Sequence, residues 1–261
     1  MFSQSNPANY VPIINDPFLY MTGFQIANDA TTPNTKLDVG AGQCRDSTDS
    51  FDIILNSSVV INAAANGING LDTGSLGASK VYAVHVISDP TGANVSGCMV
   101  SLSATAPLLP FGYGSFRVIG YVTTDSSSHF LKGYWTAGNT GVRSFVYDAP
   151  IATAVTAGAA TSYTAVDLST FVPGGYAQLP ISVAYSYTPA AASHALSLQG
   201  VNSTGAAVTI TGQVAAVVIS GNAGVNAQLN ASSSNKPEIN YKVGNASDAV
   251  ALNIAGYTVT L

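Results

Sequence analysis

Glutamate is almost absent from this chain of 261 residues, in which Glu238 is the single example. Long helices and coiled coils depend on Glu, Lys, Leu and Arg, because these side chains lose little freedom in a helix. The chain instead contains 25 glycines, and 47% of its residues are hydrophobic. Its polar residues are mainly Ser, Thr and Asn, which favour turns and strands over helix interiors. The composition therefore predicts an all-β protein.

Runs of alternating apolar and polar residues, separated by Gly, Pro, Asn and Asp, predict short antiparallel strands. In the first half these runs are Lys36 to Val39, Phe51 to Leu55, Val59 to Asn62, Lys80 to Ser88, Gly97 to Ala104, Ser115 to Thr124, His129 to Thr136 and Val142 to Asp148. In the second half they are Tyr163 to Phe171, Ala177 to Tyr187, His194 to Leu198, Ala207 to Ser220, Val225 to Leu229, Ile239 to Val243 and Val250 to Leu261. The second set has the strand density of a β-sandwich or jelly roll.

The distribution of prolines and of small residues divides the chain. Residues 1–24 interleave three prolines with apolar side chains and predict an extended N-terminal arm. Residues 25–148 predict an antiparallel β domain. Residues 149–162 lose aromatic and charged side chains together, which is typical of a linker. Residues 163–261 predict a second domain, resembling a β-sandwich or jelly roll.

The charge content excludes several classes of protein. The chain has eight basic and thirteen acidic residues, and it has no Lys/Arg run of the kind that binds nucleic acid. It also has no apolar stretch long enough to span a bilayer. The first residues have neither the basic nor the apolar region of a secretory signal, so we expect synthesis in the cytoplasm. Cys44 and Cys98 are then expected to be free, buried thiols.

No catalytic constellation stands out in the sequence. The three histidines are far in sequence from one another and from cysteine or glutamate, which argues against a metal site or a triad. Asp38, Asp46, Asp49 and Asp52 could together supply oxygen ligands to Ca²⁺, but their spacing is not that of an EF-hand. The alternative is turn chemistry, with Arg45 in an internal ion pair with Asp38, Asp46 and Asp49. We expect no cofactor and no catalytic residue.

Aromatic residues in the first half allow two interpretations. Tyr113, Tyr134, Trp135 and Tyr147 could be exposed and bind carbohydrate, or they could belong to the sheet core or to a subunit interface. The core or interface interpretation needs fewer assumptions.

Four segments resemble a known group of proteins. They are residues 22–47, which include the block Ala-Gly-Gln-Cys-Arg-Asp-Ser, and residues 70–76, 125–131 and 242–249. They are similar to segments of poorly characterised structural proteins of tailed bacteriophages and prophages. The resemblance touches both halves of the chain. It implies a component of the virion and supplies no catalytic residues.

Composition and resemblance together lead to one expectation and two alternatives. We expect a non-enzymatic tail-fibre, spike or appendage subunit that assembles as a homo-oligomer, by analogy a trimer, and contacts other virion proteins. It would reside in the virion and contribute to host attachment through a surface receptor. One alternative is a head decoration or head-fibre protein anchored on the capsid. The other is a polysaccharide depolymerase, which would need a carboxylate pair in a cleft.

Two sets of residues are candidates for binding. The first set is apolar, lies in the arm and would anchor it to a partner: Tyr10, Ile13, Ile14, Phe18 and Tyr20. The second set lies in Gly/Asn-rich segments predicted to be surface loops: Asn66, Asn69, Asp72, Asn222 and Asn235.

Overall fold

The computed structural model describes residues 20–136, 141–148, 152–204 and 207–261. Within these ranges the chain is all-β, as predicted, and contains one short 3₁₀ turn and no α-helix. Its several antiparallel sheets are consistent with a fold of the β-sandwich or jelly-roll type. In the same ranges, no helix has the length and apolar character that crossing a bilayer requires.

In the described ranges, twelve strands precede residue 149. They are β1 Met21–Gly23, β2 Ile26–Asn28, β3 Lys36–Val39, β4 Gly42–Arg45, β5 Asp52–Leu55, β6 Val59–Asn62, β7 Gly70–Leu71, β8 Val81–Ser88, β9 Gly97–Ser101, β10 Ser115–Thr123, β11 Gly133–Trp135 and β12 Val142–Tyr147. Eight further strands follow in the same ranges. They are β13 Ala152–Gly158, β14 Thr164–Asp167, β15 Gln178–Thr188, β16 Ala195–Gly200, β17 Val208–Thr211, β18 Ile219–Asn230, β19 Lys236–Val243 and β20 Ala249–Thr260. The 3₁₀ turn, Ala231–Ser233, lies between β18 and β19.

The described strands form three sheets. The smallest has the order β1-β4-β5, and the second has the order β10-β8-β9-β7, in which β7 and β9 are parallel. The third has thirteen strands, with the path β17-β16-β19-β18-β15-β20-β12-β11-β2-β3-β6, while β13 pairs with β20 and β14 with β19. Strands from both halves of the sequence therefore belong to one sheet, and the two halves are joined where β12 pairs with β20.

The prediction of a linker is wrong for residues 152–158. Residues 152–158 form β13, which pairs with β20 through two register shifts, and residues 149–151 lie outside the described ranges. The segment looked like a linker because it contains only small and β-branched residues. Such residues suit a strand whose partner is supplied from about 100 residues later in the chain.

An aromatic cluster lies where the two halves meet. Trp135, Phe145, Tyr147 and Tyr257 are all buried, with ring centroids between 4.7 and 6.4 Å apart in the contacting pairs. The Trp135 indole donates to the carbonyl oxygen of Tyr121 at 2.9 Å, which satisfies its polar edge. This cluster settles the interpretation of Trp135 and Tyr147 as core residues.

Arg143 is buried in the core close to this cluster. Its guanidinium donates to the carbonyl oxygens of Ile119 at 2.6 Å, Gly23 at 2.8 Å and Phe24 at 2.7 Å. It makes no ion pair with a carboxylate in the described part of the chain, and burial lowers its pKa to about 10. Arg143 thus connects β12 with β10 and with the turn that follows β1.

Candidate functional site

The structure covers only part of the predicted anchoring set. Tyr10, Ile13, Ile14 and Phe18 lie outside the described residues. Tyr20 is described and half-buried, and its carbonyl oxygen accepts a hydrogen bond from the Arg45 amide at 3.4 Å. The predicted role of this set in anchoring remains a prediction.

The segment that contains Asn66, Asn69 and Asp72 is not the uninterrupted loop predicted from the sequence, because β7 lies between Asn69 and Asp72 and pairs with β9. Polar side chains of the segment add to this pairing. Asn69 Oδ1 accepts from the Cys98 amide at 2.9 Å. The Asp72 carboxylate accepts from the Ser101 hydroxyl at 2.6 Å and from the Leu108 amide at 3.4 Å. Asn69 and Asp72 therefore help to hold this segment against β9, while the side chain of Asn66 is exposed.

The prediction for Asn222 as a loop-tip residue is wrong. Asn222 lies inside β18 and pairs with Ala184 of β15, within a ladder that extends from Gln178 to Tyr187. Its side chain is exposed on the face of the sheet. Asn235, by contrast, is exposed in the turn between β18 and β19, where its φ of 57° is positive.

The loop lies earlier in the chain, where it interrupts the stretch predicted as one strand from Ala207 to Ser220. Residues 212–218, named here the valine loop, separate β17 from β18 and contain no charged residue. Val214, Val217 and Val218 are 58%, 52% and 58% exposed. The chain turns at Ala216, whose φ is 59°. Three large apolar side chains consequently face outward from one short loop.

The valine loop is held against the loop that precedes β16. The Ala216 amide donates to the Pro189 carbonyl at 2.7 Å, and the Gly212 amide donates to the His194 carbonyl at 2.8 Å. A side chain at position 212 would place its Cβ 2.5 Å from Cγ of Pro189, so glycine permits this close approach. The loop is therefore supported by backbone contacts although its valines are exposed.

Asp248 fixes the supporting loop in turn. Its side chain is fully buried and accepts hydrogen bonds from the Ala190 amide at 2.7 Å, the Asn245 amide at 3.0 Å, the Tyr187 hydroxyl at 2.9 Å and His194 Nδ1 at 2.8 Å. A carboxylate can only accept here, so Nδ1 carries the proton. We call these five residues the Asp248 cluster.

The electrostatics of the Asp248 cluster favour an ionised carboxylate. Burial alone would raise the pKa of Asp248, but the hydrogen bonds from Ala190, His194, Tyr187 and Asn245 outweigh it and hold the pKa below its usual value. Burial and the neighbouring carboxylate raise the pKa of Tyr187, which keeps its hydroxyl protonated as a donor.

A paired histidine and aspartate also occur in catalytic triads, in which the second ring nitrogen of the histidine contacts a nucleophile. No hydroxyl or thiol of the described residues forms a hydrogen bond with the Nε2 atom of His194. The buried carboxylate is instead saturated by backbone amides and by Tyr187. Among the residues that the structure describes, this arrangement positions loops and places no nucleophile against His194.

The acidic region near Arg45 is an internal ion-pair network. Arg45 binds Asp49 at 2.9 Å and Asp52 at 3.0 Å, so of its three predicted partners only Asp49 is correct. Asp46 is buried and accepts from the amides of Ser50 and Phe51 and from the Thr48 hydroxyl. No group of three or more metal-ligating side chains occurs in the described ranges.

The remaining aromatic candidates differ in exposure. Tyr113 is half-buried, and its hydroxyl donates to the Val95 carbonyl at 2.8 Å. Tyr134 is 42% exposed and lines a surface cleft of about 320 Å³. The alternation along β11 explains the contrast, because Trp135 points to the core and its neighbour points to the opposite face.

Comparison with known proteins adds little to this geometry. No protein-family model and no curated protein matches the chain. Among solved structures it is similar to the Arthrobacter globiformis T6 isomalto-dextranase complexed with panose, at 13% identity and a TM-score of 0.21. That match covers 86% of this chain and 35% of the other, so the chain spans about a third of that enzyme's length.

Two further solved structures are equally distant. The exo-β-1,3-galactanase from Phanerochaete chrysosporium has 12% identity and a TM-score of 0.23, with 90% of this chain and 67% of that chain covered. The infectious bursal disease virus Gx strain structure has 11% identity and a TM-score of 0.23, with 93% and 72% covered. Similarities this weak carry no argument about function.

Proposed function

We propose that this protein is a non-enzymatic structural subunit of a bacteriophage virion, in a tail fibre, spike or other appendage. The resemblance of its sequence segments to phage structural proteins supports the setting. The observation that carries the assembly role is the valine loop, which presents Val214, Val217 and Val218 outward from a supported, uncharged loop. Exposed apolar clusters of this kind mark association surfaces.

The occupant of this surface is a second copy of the same chain. Burying a valine side chain fully contributes roughly 1.5–3 kcal/mol, and each of these valines still exposes about half of its surface. Repetition around a symmetry axis multiplies this contribution, and the loop has no charges that would repel between copies. A closed homo-oligomer, by analogy a trimer, would bury the valines of every subunit.

The acidic residues give the depolymerase alternative little support. Glu238 is 4% exposed, and Asn230 Nδ2 donates to its carboxylate at 2.5 Å. This glutamate is therefore part of the packing between β18 and β19. It is not placed as the proton donor of a glycosidase, which must face a substrate.

The assembly role is tested by light scattering coupled to size-exclusion chromatography. We expect the wild-type chain to elute as an oligomer and the triple variant Val214→Ser, Val217→Ser, Val218→Ser to elute as a monomer. Val95→Ser is the matched control, because Val95 is 81% exposed in a different loop. A monomeric wild type, or an unchanged oligomer in the triple variant, would contradict the role of the valine loop.

The place in the virion is tested on purified particles. Cryo-electron microscopy with copy numbers from quantified bands should find a small multiple of three or six at the tail. Hundreds of copies over the head would favour the alternative, a decoration or head-fibre protein. Absence from particles would overturn the virion role, whatever the outcome of the oligomer experiment.

A further inference from the structure

A surface cleft of about 320 Å³ lies between the turn after β2 and strand β11. Its lining includes Asn28, Asp29, Lys132, Tyr134 and Asp148. It is remote in sequence from the valine loop, and nothing in the assembly role uses it.

Strand pairing and the side chain of Asn28 hold the backbone that forms the floor of the cleft. Tyr134 pairs with Ala27 of β2 on one side and with Val146 of β12 on the other. Asn28 Oδ1 accepts from the Gly133 amide at 2.9 Å, and its Nδ2 donates to the Pro33 carbonyl at 2.9 Å. The cleft is thus preformed by three strands and one turn, which lowers the entropic cost of binding.

The polar groups of the cleft are open to a ligand. In the described ranges the Tyr134 hydroxyl, the Lys132 ammonium and the Asp148 carboxylate make no hydrogen bond or ion pair. The hydrogen bonds that Asp29 accepts, from Thr31 and Thr32, all end on Oδ1. An exposed aromatic ring therefore stands beside donors and acceptors with unused capacity, as at a small-ligand site.

We propose that this cleft binds a saccharide, with a pyranose ring stacked on Tyr134. A pyranose has one face of C–H groups that suits an aromatic ring, and its hydroxyl groups both donate and accept. Lys132 would donate to the sugar, and Asp148 and the free oxygen of Asp29 would accept from it. Two carboxylates against one ammonium make the cleft acidic, which disfavours acidic sugars. The ligand class is a glycan of neutral hexoses or N-acetylhexosamines.

Asp29 is suited to accepting hydrogen bonds from a sugar and not to donating a proton in hydrolysis. Hydrogen bonds from the Thr32 hydroxyl and amide lower the pKa of Asp29, so this carboxyl is ionised and is a poor general acid. A glycosidase needs one carboxyl group whose pKa is raised. The saccharide site does not depend on the virion role. In a virion it would contact a surface polysaccharide of the host.

The probes are the methyl glycosides of glucose, galactose, mannose, N-acetylglucosamine and glucuronic acid, examined by saturation-transfer NMR on the full chain. At least one neutral glycoside should receive saturation, and the glucuronide should not. Tyr134→Ala should weaken the binding roughly tenfold or more, since it removes the stacking surface. Tyr134→Phe should retain most of it.

Phe111→Ala is the matched control, because Phe111 is an exposed aromatic residue outside the cleft. Circular dichroism of each variant would show that the fold is retained. Absence of saturation for every neutral glycoside, equal binding by Tyr134→Ala, or release of free sugar from a bound methyl glycoside would each overturn the proposal. None of these outcomes depends on the oligomeric state, so a failure here is distinct from a failure of the valine loop.

Discussion

Two buried basic side chains of the first half and one buried carboxylate of the second half are partnered in opposite ways. In the first half, Arg143 and His85 are buried, and their hydrogen bonds end on backbone carbonyl oxygens, apart from one that Arg143 donates to Sδ of Met21 at 3.7 Å. In the second half, Asp248 is buried and is surrounded by four donors, one of them a histidine. The pKa values of all three groups are lowered. A lowered pKa disfavours the charged forms of Arg143 and His85, whereas it favours the charged form of Asp248. Burial thus disfavours the charged forms of Arg143 and His85, whereas the hydrogen bonds to Asp248 favour its charge and arrange loops. The buried Asp46 of the first half accepts hydrogen bonds from loop amides in the same way as Asp248.

The largest expected effect comes from Arg143. Arg143→Met leaves the carbonyl oxygens of Ile119, Gly23 and Phe24 without their donor, so we expect a loss of about 3–5 kcal/mol in the free energy of unfolding. Urea titration, followed through Trp135 as the single tryptophan, measures it. Arg143→Lys should recover part of the loss, because an ammonium cannot replace the planar fork. A loss below about 1 kcal/mol for Arg143→Met would mean that this arginine does not hold the strands together.

His85 should make the first half sensitive to mild acid. Burial lowers its pKa from 6.5 to about 4, so the unfolded chain binds the proton more readily than the folded one. Stability from this group is complete above pH 6.5 and falls as the pH drops towards 4, by about 1.4 kcal/mol per unit. Urea titrations across this range should show that fall in the wild type and a smaller one in His85→Gln. An equal fall of stability with pH in the wild type and in His85→Gln would show that His85 does not cause the acid sensitivity.

Protonation of Asp248 should lower stability at a lower pH than protonation of His85, and its effect should be confined to the loops that Asp248 holds. Its folded pKa lies below the ordinary 3.8, so its stabilisation is present above that value and is lost as the pH falls through the folded pKa. Asp248→Asn at neutral pH should cost about 2–3 kcal/mol, because an amide cannot accept from all four donors. Hydrogen exchange should show faster exchange at Ala190 and Asn245. Asp148→Asn, at an exposed carboxylate, is the control, and a uniform change in exchange across the chain would contradict a local role.

The smallest effect is expected at Arg45. Its ion pairs with Asp49 and Asp52 are partly exposed, and Arg45→Ala should lower the free energy of unfolding by about 1 kcal/mol. This corresponds to a melting temperature lower by roughly 2–4 °C. A melting temperature identical to that of the wild type would contradict the structural role of this network.

Strands with strong alternation could be predicted from sequence. Lys36–Val39 and Val59–Asn62 have the predicted bounds, and the run from Val250 to Leu261 matches β20 within one residue at each end. The stretch from Ala207 to Ser220 could not be divided correctly, because Val, Thr and Ile suit a strand whether or not a partner is present. The prediction of Asn222 in a loop is wrong for the converse reason. Its Gly/Asn-rich surroundings resemble a turn, yet β15 provides an unbroken partner there.

The sequence by itself determined the all-β class, the free buried thiols of Cys44 and Cys98 and most strand positions, because backbone propensity and side-chain alternation are local properties. Only the tertiary structure decided that β12 pairs with β20, that Arg143 and Asp248 are buried, and that Tyr134 shares a cleft with Asp29 and Asp148. These features join residues about 15 to more than 100 positions apart in the chain. A local pattern contains no information about which distant strand will supply the partner, and burial follows from that pairing.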